Sequence, residues 1–414
     1  MDSVKSQGIK PVSSKERMIE LDIIRGFALF GVLLVNIVMF NTTLFSKVAT
    51  TAPLSDPLQL QTFSDKISAL FIQIFAEGKF YTIFSFLFGL GFYVFMERVE
   101  MKELPPNKLF RRRLLFLFLF GILHFSLVWY GDILHVYGFV GLFLMLFRKR
   151  SLKTIKIWIV ILLVLSTLIF SGFTFLNEWF TASLDGESLI AQEKALNDLM
   201  EKSIEVYKNG NFLQVVNYRL TQELPFVAMN LVFLIPKILG MFLIGLYAGK
   251  KGVFKDVTGN LDLIKKTWRA GGIIGGGATI LYVLLQLNQT TINPFMYASA
   301  VTALKEMATV LLSLFYITSL LLLLRKEKYN SILHPLRYMG QLALTNYLVQ
   351  CILCSLIFYG YGLGLLNEAG VATGVLITFV IYGGQLVFSK KWLEKFRYGP
   401  FEWIWRRLTY GSSL

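Results

Sequence analysis

Apolar runs separated by charged connectors dominate the chain from residue 23 onward. The first run, 23–40, reads IIRGFALFGVLLVNIVMF. A polar connector over 41–66, with Pro53 and Pro57, leads into a short amphipathic piece ending at Ala76, and a second run covers 79–95. Residues 110–147 form two runs joined at Trp129-Tyr130-Gly131-Asp132, and further runs follow at 155–175, 224–249, 270–287, 297–324, 335–358 and 371–388. Each lies near the ~20 apolar residues that a helix needs to cross hydrocarbon. Because a backbone in lipid must satisfy its own polar groups, the pattern predicts an all-α, polytopic transmembrane bundle of about ten spanning helices.

The one long polar interval, 177–223, carries eight acidic residues. Its apolar positions Leu189, Leu196, Met200, Ile204 and Tyr207 recur at helical spacing, with a break near Asn209-Gly210-Asn211. Short amphipathic helices on the membrane face are expected there, as interfacial helices or as a lid.

Composition agrees with that picture. The 414 residues are 55% hydrophobic and 15% aromatic, with mean hydropathy +0.59, above the roughly 45–50% apolar content of soluble domains. An ordinary soluble globular protein is excluded. The net charge of +15 could suggest nucleic acid, but its distribution suggests a membrane surface instead. Of 41 Lys and Arg, 32 fall in alternate connectors, while the opposite connectors hold Lys47, Lys66, Lys194, Lys202, Lys208 and Arg219. Cationic connectors stay on the cytoplasmic side, so both termini are expected there, with no nucleic-acid partner. The chain then divides into a cytoplasmic tail over 1–22, a first bundle over 23–175, an extracytoplasmic segment over 176–223, a second bundle over 224–390 and a cytoplasmic tail over 391–414. The N-terminal region lacks the cleavage pattern of a secretory signal. Cys351 and Cys354 both lie within one run, where packing explains them and no disulfide framework arises. No internal duplication is visible.

The candidate chemistry lies where polar residues interrupt these runs. His124 and His135 flank the connector at 129–132, and Asp132 stands three positions before His135, on the same helix face. An imidazole oriented by a carboxylate is a general-base arrangement. The plainer readings are a packed His124 and an Asp132 that only caps a helix. Lys79, Lys237, Lys305, Glu306, Asn346 and Gln350 also fall inside runs. A charge at the bilayer centre costs at least about 2.5–3.5 kcal/mol, so Lys237 must line a hydrated cavity or pair, with Glu306 as the candidate partner. Lys79 could instead snorkel to the surface, and His334 reads as structural. No HExxH motif or phosphate-binding glycine loop is present, and no metal is expected.

Five blocks carry a resemblance: LDIIRGFALFGVLLVNI at 21–37, EGKFYTIFSFLFGLGF at 77–92, WYGDIL at 129–134, GQLALTNYLVQ at 340–350 and FRYGPFEWIWRRLTY at 396–410. In this order they closely resemble the YeiB-like family of bacterial inner-membrane proteins, whose C-terminal half is a domain of unknown function (DUF418). The family looks distantly related to membrane acyltransferases, including those of bacterial surface glycans and the heparan glucosaminide acetyltransferase. These pass an acyl group from a cytosolic thioester to a hydroxyl or amine across the bilayer, using a membrane-embedded histidine. Arg25 matches an arginine of the first-span block in those enzymes, whereas Asn36 or a neighbour stands where they place a histidine.

The resemblance therefore implies a multi-pass protein of the bacterial inner membrane and an acyltransferase-like activity with acyl-CoA as donor. Arg25, Arg111, Arg112 and Arg113 could bind the donor's phosphates, although membrane topology alone would also place them there. His135 oriented by Asp132, or else His124, would act as base, and Lys79 or Lys237 would stabilise the oxyanion. The acceptor is left as a small molecule, glycan or lipid. A transporter or flippase of a small amphiphilic or anionic molecule, and a membrane sensor or scaffold, are the alternatives. A homodimer is left open.

Overall fold

The computed structural model describes residues 18–49, 60, 62–287 and 293–411. The tail before Met18, and the part of the first connector holding Pro53 and Pro57, lie outside the described residues. Every regular element among the described residues is helical.

Helix α1, Ile19–Phe40, opens with Glu20 and Asp22 in its first turn, where negative charge suits the helix dipole. After α2 (Leu44–Ala49), α3 (Phe63–Phe71) starts at Thr62, whose side chain accepts from Asp65 N at 3.2 Å. A π-turn at Ile72–Ala76 and Gly78, at φ +79°, re-aim the chain into α4, Lys79–Glu100. Helices α5 (Pro106–Leu127) and α6 (Leu134–Leu144) make the expected hairpin. Next come α7 (Leu152–Ser183), α8 (Gly186–Asn209) and α9 (Phe212–Tyr218), each begun by a side-chain cap from Ser151, Asp185 and Asn211 respectively. The second half holds α10 (Leu224–Lys250), α11 (Leu261–Ala270), α12 (Gly276–Leu287), α13 (Pro294–Leu324), α14 (Glu327–Leu333), α15 (Leu336–Gln341), α16 (Ala343–Phe358), α17 (Val371–Lys395) and α18 (Pro400–Tyr410).

Seven helical stretches among the described residues are long and apolar enough to cross a membrane: Ile19–Phe40, Phe63–Glu100, Leu152–Ser183, Phe212–Lys250, Leu261–Gln286, Pro294–Leu324 and Val371–Lys395. The chain is a multi-pass helical membrane protein. The other three expected spans are helical but differ in build. Helix α5 carries Arg111, Arg112 and Arg113 in its first half, and Leu134–Phe147 and Ala343–Phe358 are shorter apolar helices. The expected run 335–358 is broken at Leu342, where φ −106° and ψ 34° leave the helical region between α15 and α16. The long run ending at 175 continues to Ser183, so α7 takes up the start of the interval expected to be soluble.

Helix α1 sits at the heart of the bundle, with Ile24, Ala28, Leu29, Ile37 and Phe40 fully buried against α15, α16, α17 and α4. Glycines set the close crossings: a Cβ on Gly89 would overlap the α10 backbone at Phe242, and one on Gly121 the α6 backbone at His135. In contrast α7 buries little, and Val160, Leu168 and Trp179 on it are exposed, as a lipid-facing helix requires.

Candidate functional site

The α5–α6 hairpin brings both histidines onto one carboxylate. Asp132 Oδ1 accepts from His124 Nδ1 at 2.8 Å, and Oδ2 accepts from His135 Nδ1 at 2.6 Å and from His135 N at 2.8 Å. Asp132 thus bridges both imidazoles and also caps the first turn of α6. All three side chains are buried. A carboxylate only accepts, so each Nδ1 carries the proton and each Nε2 becomes the basic nitrogen. His124 Nε2 has no hydrogen-bond partner, and its ring lies 5.3 Å from that of Tyr347.

Asp132 and His135 line a cavity of about 1510 Å3, with Tyr347 on its wall and His124 set behind. Tyr130 Oη donates to Met39 O at 3.2 Å, so the connector lies at the C-terminal end of α1. Arg25, near the other end of α1, lines the same cavity. The separation of 14 positions from Arg25 to Met39 corresponds to about 21 Å of helix, so the cavity runs along much of the bundle. Its far end is basic, with Arg98, Arg113, Arg397 and Arg406 joining Arg25. Arg25 pairs with Asp22 at 3.0 Å, and the Arg113 guanidinium stacks 3.8 Å from the centre of Trp405 on α18.

Of the four arginines expected to meet an anion, the cavity takes in Arg25 and Arg113. Arg111 and Arg112 are exposed on α5 instead. Successive helical residues point about 100° apart, so three consecutive arginines do not share one wall.

The intramembrane polar residues divide into two groups. Lys237 pairs with Glu306 at 2.9 Å and Lys305 with Glu77 at 2.9 Å, all four lining the cavity. Lys79 is fully buried, its Nζ donating to Gln73 O at 2.9 Å, rather than snorkelling to a surface. Asn346 and Gln350 serve packing between α16 and α17: Asn346 donates to Ser389 Oγ at 3.0 Å, and Gln350 to Gln385 Oε1 at 2.8 Å. Cys351 and Cys354 are buried thiols beside them. His334 accepts from Arg337 at 2.7 Å; partial burial and that guanidinium hold its imidazole below the usual value.

The family model described as "Protein of unknown function (DUF418)" matches residues 248–412. An uncharacterised protein, YxaH of Bacillus subtilis, is 33% identical over 98% of this chain and 97% of its own length. The chain belongs to the YeiB-like DUF418 family. YeiB of Escherichia coli is 27% identical over 95% of this chain and 96% of its own length. An uncharacterised 39.9 kDa protein of Bacillus acidopullulyticus is 30% identical over 98% and 97%. No solved structure matches the chain. The matched DUF418 residues hold α13, α16 and α18, whereas the histidine hairpin lies in the half covered by the full-length relatives.

Two further features of this family member emerge only from the fold. Tyr347 sits within the block at 340–350 but looks like any aromatic of a span. Arg219 and Glu223 are fully buried. Tyr207 on α8 donates to Glu223 at 2.8 Å, and Arg219 donates to Ser126 O of α5 at 2.9 Å. Their i, i+4 spacing with opposite charge was the available signal.

Proposed function

We propose that the chain is a membrane-embedded acyltransferase, moving an acyl group from cytosolic acyl-CoA to a hydroxyl or amine acceptor at the outer face of the bacterial inner membrane. Both termini then lie in the cytoplasm. The observation that supports this reading is that one cavity is lined both by Arg25 and Arg113 and by an imidazole fixed by Asp132.

In this scheme Arg25, Arg113 and Arg406 meet the donor's phosphates, and its thin thioester arm extends along α1. His135, held with Nε2 basic, removes the proton from the acceptor's O–H or N–H. The acceptor attacks the thioester carbonyl, the C–S bond breaks, and the leaving thiolate takes the proton back from the imidazolium. Such a base contributes about 10²–10⁴-fold. Lys237 is turned to Glu306, so oxyanion stabilisation by it would require that pair to open.

The test is incubation of purified protein with radiolabelled acetyl-CoA and a panel of longer acyl-CoA thioesters. Binding or slow hydrolysis, with hydrolysis abolished in His135→Ala, supports transfer. Indifference to every thioester refutes it. The cavity continues past His135 to the ion pairs of α10 and α13, which favours transport of a small charged amphiphile as the second reading, tested by uptake into vesicles.

A further inference from the structure

We propose that the part of the cavity walled by α4, α10 and α13 binds a zwitterion, a ligand bearing an ammonium close to an anionic phosphate or carboxylate. The proposal holds whether the protein transfers an acyl group or transports its ligand.

Four charges line this chamber in alternating order. Glu77, just before α4, contacts Lys305; Lys305 precedes Glu306 on α13; and Glu306 contacts Lys237 of α10, both contacts being 2.9 Å. Thr302, Thr309 and Asn230 line the same stretch and add neutral donors and acceptors. Lys237 lies near the middle of the 27-residue α10, and Lys305 and Glu306 lie well inside the 31-residue α13. The chamber is therefore deep in the membrane region.

The Glu77, Lys305 and Glu306 side chains keep 18%, 24% and 16% of their surface exposed and line the cavity, whereas Lys237 keeps 3% and meets it only at its edge. Lys79, the other lysine of this region, is held at Gln73 O and does not line the cavity. The four charges that line the wall thus alternate in sign, two of each. A ligand with one charge meets attraction and repulsion that largely cancel. A ligand with both signs can lay its ammonium against a glutamate and its anionic group against a lysine, so that all its contacts are attractive.

The chamber also adjoins the histidines. Lys237 Nζ lies 5.3 Å from the centre of the Tyr81 ring, Tyr81 O accepts from Tyr137 Oη at 2.8 Å, and Tyr137 is two residues from His135. A zwitterion could come from a lipid headgroup or from solution, and the same wall would recognise either.

Protein in nanodiscs of phosphatidylglycerol is dialysed to equilibrium against radiolabelled short-chain phosphatidylethanolamine, glycine, ethylamine and inorganic phosphate. At least one zwitterion is expected to bind tenfold or more tightly than ethylamine or phosphate. Binding of the phospholipid alone assigns the site to a membrane headgroup, and binding of glycine assigns it to a soluble ligand. Exchanging Lys237→Glu together with Glu306→Lys keeps the pair, and hence the fold, but destroys the alternation. Affinity should fall at least tenfold with the thermal midpoint unchanged. If that protein does not fold, the exchange Glu77→Lys with Lys305→Glu makes the same test. The proposal is overturned if neither zwitterion binds, if either probe of a single sign binds as tightly, or if a folded exchange variant retains full affinity.

Discussion

At the scale of residues, Asp132 is the atom-level hinge of the site. It accepts three hydrogen bonds, two of them from imidazoles. In Asp132→Asn the amide must turn an N–H toward one ring, which frees that imidazole to rotate or switch tautomer. Acyl-CoA turnover is expected to fall by about 10²-fold or more, while His124→Gln, set behind the cavity wall, should cost less than His135→Gln. Equal losses in the two histidine variants would refute the assignment of His135 as base. A second expectation concerns Gly121, where an added Cβ would overlap His135 and press on the Asp132 carboxylate. Gly121→Ala should lower stability by about 1–3 kcal/mol through overpacking and reduce turnover although no reactive group is removed, as thermal unfolding and activity together would show. The histidines and Asp132 were legible because polar residues stand out in apolar runs. That one carboxylate joins both rings was not, because His124 is eight positions away on the preceding helix and the rotation of the hairpin decides what it meets.

At the scale of elements, two junctions depend on groups supplied by another segment. Helix α16 begins after the break at Leu342, and its first N–H groups are capped from α18: Glu402 accepts from Leu344 N at 2.8 Å and Thr345 N at 3.0 Å. Glu402→Ala should cost about 0.5–2 kcal/mol and release α18, seen as faster protease cleavage near residue 399. The other junction is Arg219 with Glu223 and Tyr207, which fastens α8 to α5. Removing one charge of a buried pair costs about 3–5 kcal/mol, so Arg219→Met should sharply lower the thermal midpoint, and adding Glu223→Leu should recover much of it. Helix positions were readable from apolar length, and the break at Asn209-Gly210-Asn211 from its capping residues. The break at Leu342 was hidden, since the run there contains no proline or glycine closer than Gly340, and its cap comes from a helix nearly sixty positions later.

At the scale of the whole molecule, the sorting of charge along the sequence becomes a sorting in space. Arg148 contacts Glu100, Lys255 contacts Glu97, Lys250 donates to Arg150 O, and Trp405 donates to Arg113 O. These contacts gather four cationic stretches at one end of the bundle. At the other end, Asn367 N donates to Asn41 O, Gly360 N to Tyr207 O, and Lys208 pairs with Glu368. If the cationic end faces the cytoplasm, single cysteines introduced at Lys108 and Lys266, both exposed, should resist a membrane-impermeant maleimide in intact cells and react after permeabilisation. Lys194→Cys on α8, also exposed, should react before it. The native thiols Cys351 and Cys354 are buried and should add little background. Labelling of Lys108→Cys in intact cells would invert the topology, place the basic end of the cavity outside, and remove the cytosolic donor from the scheme while leaving the helical bundle intact.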